Sequence, residues 1–390
     1  MVRKNKIIPY SHQWLDEEDI NAVVEVLKSD WLTQGPKIDE FEKALCKYTG
    51  AKYAICVNSA TSALHLACLV SDIKVGDEVI TSPITFVATG NAIIYCGGKP
   101  VFADIQEDTV NIDPKEIEKK ISKRTKAIIP VHFAGHPCDL EEIHRIAKKH
   151  NLTVIEDASH ALGAEYKGEK IGSCRYSDMT VFSFHPIKSI TTGEGGAIMT
   201  NNRQYYEKLL ILRTHGITKD NKKFINYDSR TDGDWYYEMQ ELGFNYRITD
   251  FQCALGISQL SKIEDFIKKR RKIVKIYNQA FKDNAYFDLP VEKNYVKSAC
   301  HLYPIRLKDK YMEKRKELFN YLRKNNLWVQ VHYIPVHLQP YYRKKYGYKK
   351  GDYSKAEDYY YKTISLPIFP KMTNHEIAYI VKKIKKFSSL

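Results

Sequence analysis

Three short stretches carry residues that could do chemistry together. Lys188 lies in "SFHPIKSITTGEGGA", residues 183–197, among small turn-forming residues directly after the apolar run "SDMTVFSF". Glu156 and Asp157 close another very apolar run in "LTVIEDASHALGAEY". In "CVNSATSALHLA" a strand-like run passes straight into a helical one, which puts Ala60, Thr61 and Ser62 at a helix N-terminus. Free backbone N–H groups and the helix dipole favour an anion such as phosphate there, and Thr61 adds a hydroxyl donor. Taken singly, each stretch has a plain reading: a solvated lysine, a strand-end acid, an ordinary Ser/Thr cap.

Taken together they match what pyridoxal phosphate requires. A lysine held in a crevice loses ammonium character and can form a Schiff base; a carboxylate keeps the pyridine nitrogen protonated; a phosphate cup anchors the group. From Asp157 to Lys188 is 31 positions, room for one strand and two turns. The two side chains can therefore come from neighbouring strand ends, where open α/β sheets bind their ligands.

The rest of the chain must build such a sheet. The runs "YAICV", "DEVITS", "KPVFADI", "TKAIIPVHF", "LTVIEDA", "DMTVFSF" and "GAIMT" are apolar almost throughout, and the helical stretches "TSALHLACLV", "TFVATGNAIIY" and "DLEEIHRIAKKH" lie between them. That alternation predicts an α/β fold with a mainly parallel sheet covered on both faces. Upstream, "LDEEDINAVVEVLKS" predicts an amphipathic helix with Asp16 at its N-cap and Ile20, Val23, Val24 and Leu27 on its buried face. Downstream, long helices are followed by "CHLYPIRL" as a strand, "EKRKELFNYLRKNN" as a helix and "WVQVHYIP" as a strand. A large domain over residues 1–264 and a small α+β domain over 265–390 are expected, since single cores stop growing near 250–300 residues.

Composition fits an ordinary globular protein, with 43% hydrophobic and 28% charged residues. Neither a secretory signal nor a membrane-spanning apolar run is expected, which makes the cytoplasm the default. The eight cysteines (46, 56, 68, 96, 138, 174, 253 and 300) show no CxxC spacing, so reduced, mostly buried thiols are expected, and no metal site. The net charge of +14 is compatible with nucleic acid, a membrane surface or an anionic small substrate. Its densest runs, "IKKRRKIVKIY" and "IVKKIKKF", read as amphipathic helices with solvated basic faces, and no nucleic-acid recognition module accompanies them.

Over nearly its whole length the sequence resembles the DegT/DnrJ/EryC1/StrS nucleotide-sugar aminotransferases, of the aspartate aminotransferase fold (fold type I). The resemblance rests on "WLTQGPKIDEFEKAL", "NSATSALHLA", "PITFVATGNAI", "IIPVHFAGHPCDL", "VIEDASHALGAEYKG", "SFHPIKSITTGEGGAI", "LGFNYRITDFQCALGISQL", "HLYPI" and "VQVHYIPVHLQPYY", in the family's order. It implies that Lys188 is the Schiff-base lysine and Asp157 the partner of the ring nitrogen. It further implies that Ser183, Thr61 and the backbone of Ala60 hold the phosphate, that Phe86 stacks on the ring, and that Asn245 reaches the phosphate from the other subunit of a homodimer. Arg247 beside it could meet an anion across that interface or form a structural ion pair. Substrate contacts are implied for Tyr10, Trp31, Leu32, Thr33, His332 and Tyr333, each of which also reads as packing or turn structure.

His160 stands where many family members have glutamine, and Ala60 where many have glycine. Both resemble the branch of C-4 aminotransferases of pseudaminic acid biosynthesis; alone, His160 reads equally as a core histidine. The branch implies transfer of the amino group of L-glutamate to C-4 of UDP-2-acetamido-2,6-dideoxy-β-L-arabino-hex-4-ulose, with pyridoxamine phosphate between the half-reactions. Another nucleotide-linked 3- or 4-keto sugar is the alternative. The family's dehydratases replace the lysine by histidine, and Lys188 argues against that reading.

Overall fold

The computed structural model describes residues 7–388. At its centre lies a seven-stranded sheet built from β1 (Tyr53–Val57), β2 (Glu78–Thr81), β3 (Lys99–Phe102), β4 (Thr125–Ile129), β5 (Thr153–Asp157), β6 (Met179–Ser183) and β7 (Gly196–Thr200), in the order β1-β7-β6-β5-β4-β2-β3. Strand pairs β3–β2, β2–β4, β4–β5 and β5–β6 are parallel, whereas β7 runs antiparallel to β6 and β1. The expected α/β fold with a mainly parallel sheet is the one that forms.

Alternation along the strands explains why their sequences carry apolar residues on both faces. Ile128, Phe182, Ala197 and Met199 enter a core on one face of the sheet with Phe41 and Leu45. Their neighbours Ile129, Val181 and Ile198 enter a second core on the opposite face with Leu64 and Ile93. Both faces exclude water, so period two leaves no polar stripe.

Among the helices that matter for the site are α1 (Glu17–Leu27), α2 (Ala60–Val70), α3 (Val87–Tyr95), α4 (Asp250–Ser261) and α5 (Ile263–Phe281). Asp16 caps α1 as expected, its carboxylate accepting from the Asp19 amide at 3.2 Å while Asp19 accepts from the Asp16 amide at 3.1 Å. The buried face of α1 is not the one its apolar residues suggest. Ile20 and Leu27 are exposed, whereas Asp19 is buried and accepts from Ser258 (2.6 Å) and Gln259 (2.7 Å) of α4. A satisfied polar seam joins these two helices; Val26 is the other buried residue of α1, and of the expected ridge Val23 and Val24 are half-buried.

Beyond the main sheet, β8 (Phe287–Asp288), β9 (Tyr303–Leu307) and β10 (Thr363–Leu366) form an antiparallel sheet, with α6 (Arg315–Lys324), α7 (Pro340–Tyr346) and α8 (Asn374–Ser388) in the same part of the chain. A further core gathers Tyr303, Ile305, Leu318, Ile364 and Ile380, together with Ile8. Helix α5 contributes Ile263 and Ile267 to the first core and Ile273, Tyr277 and Phe281 to this one. The division at 264/265, which we propose as the boundary of two units, thus falls inside one continuous helix.

Two expectations are corrected here. "WVQVHYIP" is a strand only at Leu327–Trp328, where it pairs in parallel with Ile8–Pro9. The Val329 amide turns back to the Leu327 carbonyl at 2.9 Å and Pro335 supplies no donor, so only Gln330 keeps a bridge, to Ser365. On α5 the basic face is not wholly solvated: Arg270 is buried and donates to the carbonyls of His301 (3.3 Å) and Ile368 (3.0 Å), and half-buried Arg271 pairs with Glu292 at 2.6 Å. Among the described residues no helix is long and apolar enough to cross a membrane, and no cluster of side chains is arranged to hold a metal ion.

Candidate active site

Parallel strands all deliver their carboxyl ends to one edge of the sheet, and the chemistry collects there. In the β5–β6 register Asp157 pairs with Val181, two residues before Ser183, so the strand-end carboxylate and the start of the Lys188 turn lie side by side. β1 ends beside them and runs into α2 through the N-cap Ser59. Its hydroxyl accepts from the Ser62 amide at 3.1 Å, while the first amides of the helix, Ala60 and Thr61, have no intrahelical acceptor. A Cβ on Gly196 would lie 2.6 Å from the Ala60 nitrogen, so only glycine lets β7 come this close to the helix start.

These residues line one cavity of about 720 Å³, open to solvent, which also receives Phe86 from the N-cap of α3. Its far wall comes from distant segments: Tyr10 near the amino terminus and His332 and Tyr333 in the irregular stretch after residue 328. The Tyr10 and His332 rings lie 5.0 Å apart, and the Ser11 hydroxyl donates to the Ile187 carbonyl at 3.1 Å. The amino-terminal segment is thereby tied to the turn that carries Lys188.

Asp157 is buried and fully engaged. Oδ2 accepts from the Thr89 hydroxyl at 2.7 Å; Oδ1 accepts from the Ser159 hydroxyl at 2.6 Å and the Ser159 amide at 3.2 Å. Its neighbour Glu156 belongs to the opposite face of the strand, where its carboxylate accepts from His132 Nε2 at 2.6 Å, from Thr180 at 3.0 Å and from Ser177. Period two therefore separates the adjacent acids into one that faces the cavity and one that braces the fold.

Burial lowers the Lys188 ammonium from its usual range to about 8, a shift opposed in part by the Asp157 charge. A substantial neutral fraction near pH 8 makes this amine a nucleophile. The imidazoles around it are held in the neutral form. Burial and the Lys188 charge hold His332 down at about 3, and burial first, then Lys188 and His332, push His160 well below its ordinary value. His160 Nε2 lies 3.1 Å from the Tyr333 hydroxyl, its ring is 4.3 Å from that of His301, and its buried Nδ1 has no partner.

The structure brings Lys188, Asp157, His160, Ser183, Ala60, Thr61, Phe86, Tyr10, His332 and Tyr333 to this cavity. Trp31, Leu32, Thr33, Asn245 and Arg247 do not line it. The Asp250 amide donates to the Leu32 carbonyl at 3.0 Å and Thr33 bridges Thr249, which places the 31–33 segment beside the 245–250 segment. Trp31, Leu32 and Asn245 are exposed there, and Arg247 makes no ion pair among the described residues. Sequence reading missed Thr89 and Ser159. Ser159 was signalled by its place two residues after an aspartate, a spacing that favours side-chain-to-amide turns; Thr89, one helical turn after Phe86, carried no signal of its long-range partner.

The cavity fits pyridoxal phosphate. It offers a nucleophilic amine, a held carboxylate, an exposed aromatic face, unsatisfied helix amides for a phosphate and an orphaned imidazole nitrogen.

Residues 13–385 match the DegT/DnrJ/EryC1/StrS aminotransferase family. The chain is 49% identical to an uncharacterized protein of Methanocaldococcus jannaschii, covering 100% of this chain and 99% of that protein. It is 42% identical to the UDP-4-amino-4,6-dideoxy-N-acetyl-beta-L-altrosamine transaminase of Campylobacter jejuni, over 97% and 99% of the two chains. Among solved structures it superposes with a TM-score of 0.90, at 39% identity, on Helicobacter pylori PseC, an aminotransferase involved in the biosynthesis of pseudoaminic acid, covering 99% of this chain and 100% of that one.

Proposed function

The chain belongs to the DegT/DnrJ/EryC1/StrS aminotransferase family, and from that membership we propose that it transfers the amino group of L-glutamate to C-4 of UDP-2-acetamido-2,6-dideoxy-β-L-arabino-hex-4-ulose. That it is a pyridoxal-phosphate-dependent nucleotide-sugar aminotransferase follows from the family and from its relatives. The finer choice of sugar is supported by identity over nearly full length to the altrosamine transaminase.

The observation that carries the reading is the coexistence, in one cavity, of a lysine whose ammonium is lowered to about 8 and a buried carboxylate receiving three hydrogen bonds. When bound, pyridoxal phosphate supplies an electrophilic carbon for amines and a ring that stores the electron pair released at the substrate carbon. Lys188 would hold the cofactor covalently. As a free amine in the same cavity it would serve as the base that takes the proton from the glutamate α-carbon and, in the second half-reaction, as the acid that delivers one to C-4 of the sugar.

Asp157 would pair with the ring nitrogen, and Thr89 and Ser159 fix the direction of its carboxylate. Thr61, Ser183 and the Ala60 amide hold the phosphate, Phe86 covers one ring face, and His160, neutral, offers Nδ1 to the ring's polar edge. Tyr10, His332 and Tyr333 close the wall against which the sugar sits. Asn245 and Arg247 serve from a second copy of the chain, in a homodimer with shared sites, and Trp31, Leu32 and Thr33, whose segment lies beside theirs, contact substrate. All eight cysteines are free, which supports placement in the reducing cytoplasm.

The test is amino transfer by purified enzyme from glutamate to a panel of UDP-, GDP- and dTDP-linked 3- and 4-keto sugars, followed by mass spectrometry. Amination of the UDP-linked 4-keto sugar is expected. Exclusive use of a dTDP-linked 3-keto sugar would overturn the assignment.

A further inference from the structure

His301 does not line the Lys188 cavity, yet its ring lies 4.3 Å from that of His160, which does, with 30° between the two planes. His160 comes shortly after the end of β5, and His301 shortly before β9. We propose that His301 is a positioning residue: its ring face fixes the His160 imidazole so that Nδ1 is presented to the polar edge of pyridoxal phosphate. This rests on the reading above, in which His160 meets that edge, and adds what holds it there.

An imidazole needs such a support. Rotation about the Cβ–Cγ bond of histidine is broad, without the narrow staggered wells of an aliphatic side chain. The hydrogen bond between His160 Nε2 and the Tyr333 hydroxyl, at 3.1 Å, fixes one point of the ring and leaves the rest to swing about it. A flat neighbour across the ring face removes that freedom. Burial raises the Tyr333 phenol above its ordinary range, so its hydroxyl keeps its proton and can donate to Nε2. The proton of the neutral His160 ring then sits on Nδ1, which becomes a donor.

His301 is itself held in place. Its amide donates to the Ala134 carbonyl at 2.9 Å, and its carbonyl accepts from buried Arg270 of α5 at 3.3 Å. Gly135, at φ +90°, lies against both histidines: a Cβ there would be 2.9 Å from the His160 carbonyl oxygen and 3.0 Å from the His301 nitrogen. Only glycine permits so close a turn. The Nδ1 atoms of His301 and His160 are both buried without a partner, so the two rings meet by their faces.

Charge does not separate them. Burial first, then Lys188 and His332, hold His160 well below its ordinary value; burial first, then His160, Lys188, Arg270 and His332, do the same for His301. Two neutral rings stack where two imidazolium ions would repel.

The test is the pH titration of the cofactor's visible absorbance in holoenzyme, with thermal melting of the cofactor-free protein followed in parallel. A donor on the cofactor's phenolic oxygen competes with the proton that the lysine-linked cofactor takes up, so loss of the donor moves the midpoint to higher pH. His160→Ala is expected to raise it by about 1 pH unit, the scale of one hydrogen bond to a charged group. His301→Ala should raise it similarly, while His301→Phe, which keeps a ring face, stays near wild type. With both alanines present the shift should be no larger than with His160→Ala alone. His301→Asn, which also lacks the ring, takes the place of His301→Ala where that variant does not melt cooperatively.

A wild-type midpoint in the His301 variant without a ring overturns the inference and leaves the role of His160 standing. So does a further shift on top of His160→Ala, or a shift in His301→Phe equal to that of His301→Ala. A midpoint unmoved by His160→Ala removes the role of His160, and the inference with it, while the aminotransferase reading stands.

Discussion

The Thr89 hydroxyl donates a 2.7 Å hydrogen bond to Asp157 Oδ2, across 68 positions of sequence, and the same hydroxyl lies 2.7 Å from that of Thr85. Both partners are buried. It joins the first turn of α3 to the end of β5 and fixes the direction of the carboxylate that faces the cavity. Thr89→Val, which removes the hydroxyl at constant shape, is expected to loosen pyridoxal phosphate about tenfold, the equivalent of a hydrogen bond to a charged group. Thr89→Ser should restore it. Equilibrium dialysis of the cofactor against the three proteins checks this.

Lys188→Ala should abolish amino transfer, lowering it by at least about a thousandfold, through loss of both covalent attachment and proton transfer. Borohydride reduction followed by peptide mass spectrometry is expected to place the pyridoxyl mass on Lys188 in wild type and nowhere in the variant. A pyridoxyl mass on any other lysine of active wild type would refute the assignment.

Capture of pyridoxal phosphate by the cofactor-free protein should follow the Lys188 amine. Its value is lowered to about 8, so the amine is protonated below that pH and neutral above it. The rate of capture is therefore expected to rise about tenfold per pH unit up to pH ~8 and to level off above it. An exposed lysine would go on gaining rate toward pH ~10. Stopped-flow absorbance across pH 6 to 10 separates the two.

His132 and Glu156 predict a stability effect separable from chemistry. The Cys138 amide donates to His132 Nδ1 at 3.1 Å, which leaves the ring proton on Nε2 for Glu156 at 2.6 Å. His132→Ala strips that donor from a buried carboxylate and is expected to cost at least about 2 kcal/mol in urea unfolding. The double change His132→Ala with Glu156→Gln should recover part of the loss, because the uncompensated charge is gone.

A shared site predicts complementation. Lys188→Ala and Asn245→Ala homodimers should both be weak, while a mixture unfolded and refolded together should regain roughly a quarter of wild-type activity, from the one intact site in each mixed dimer. No recovery after subunit exchange, with mixed dimers shown by native mass spectrometry, would place Asn245 in the site of its own chain.

The sheet and its active edge were legible in the linear pattern because their causes are local. Runs such as "AIM" in β7 are apolar on both faces, and parallel strands must bring the residues at and just past their carboxyl ends, Asp157 and Lys188 among them, to one edge. The Asp16 cap was legible for the same reason, since its partner Asp19 is three residues away. Tertiary packing decided what depends on distant partners. The sequence order treats Glu156 and Asp157 alike, and only the sheet's alternation sends one to His132 and the other to the cavity. α1 buries Asp19 and not Ile20 because α4 supplies donors to it, a pairing across about 240 positions that no periodicity contains. Tyr333 meets His160 because the chain leaves its ladder after Trp328 and returns to the sheet edge, and the burial that results, not residue type, makes His160 and Lys188 depart from their ordinary protonation.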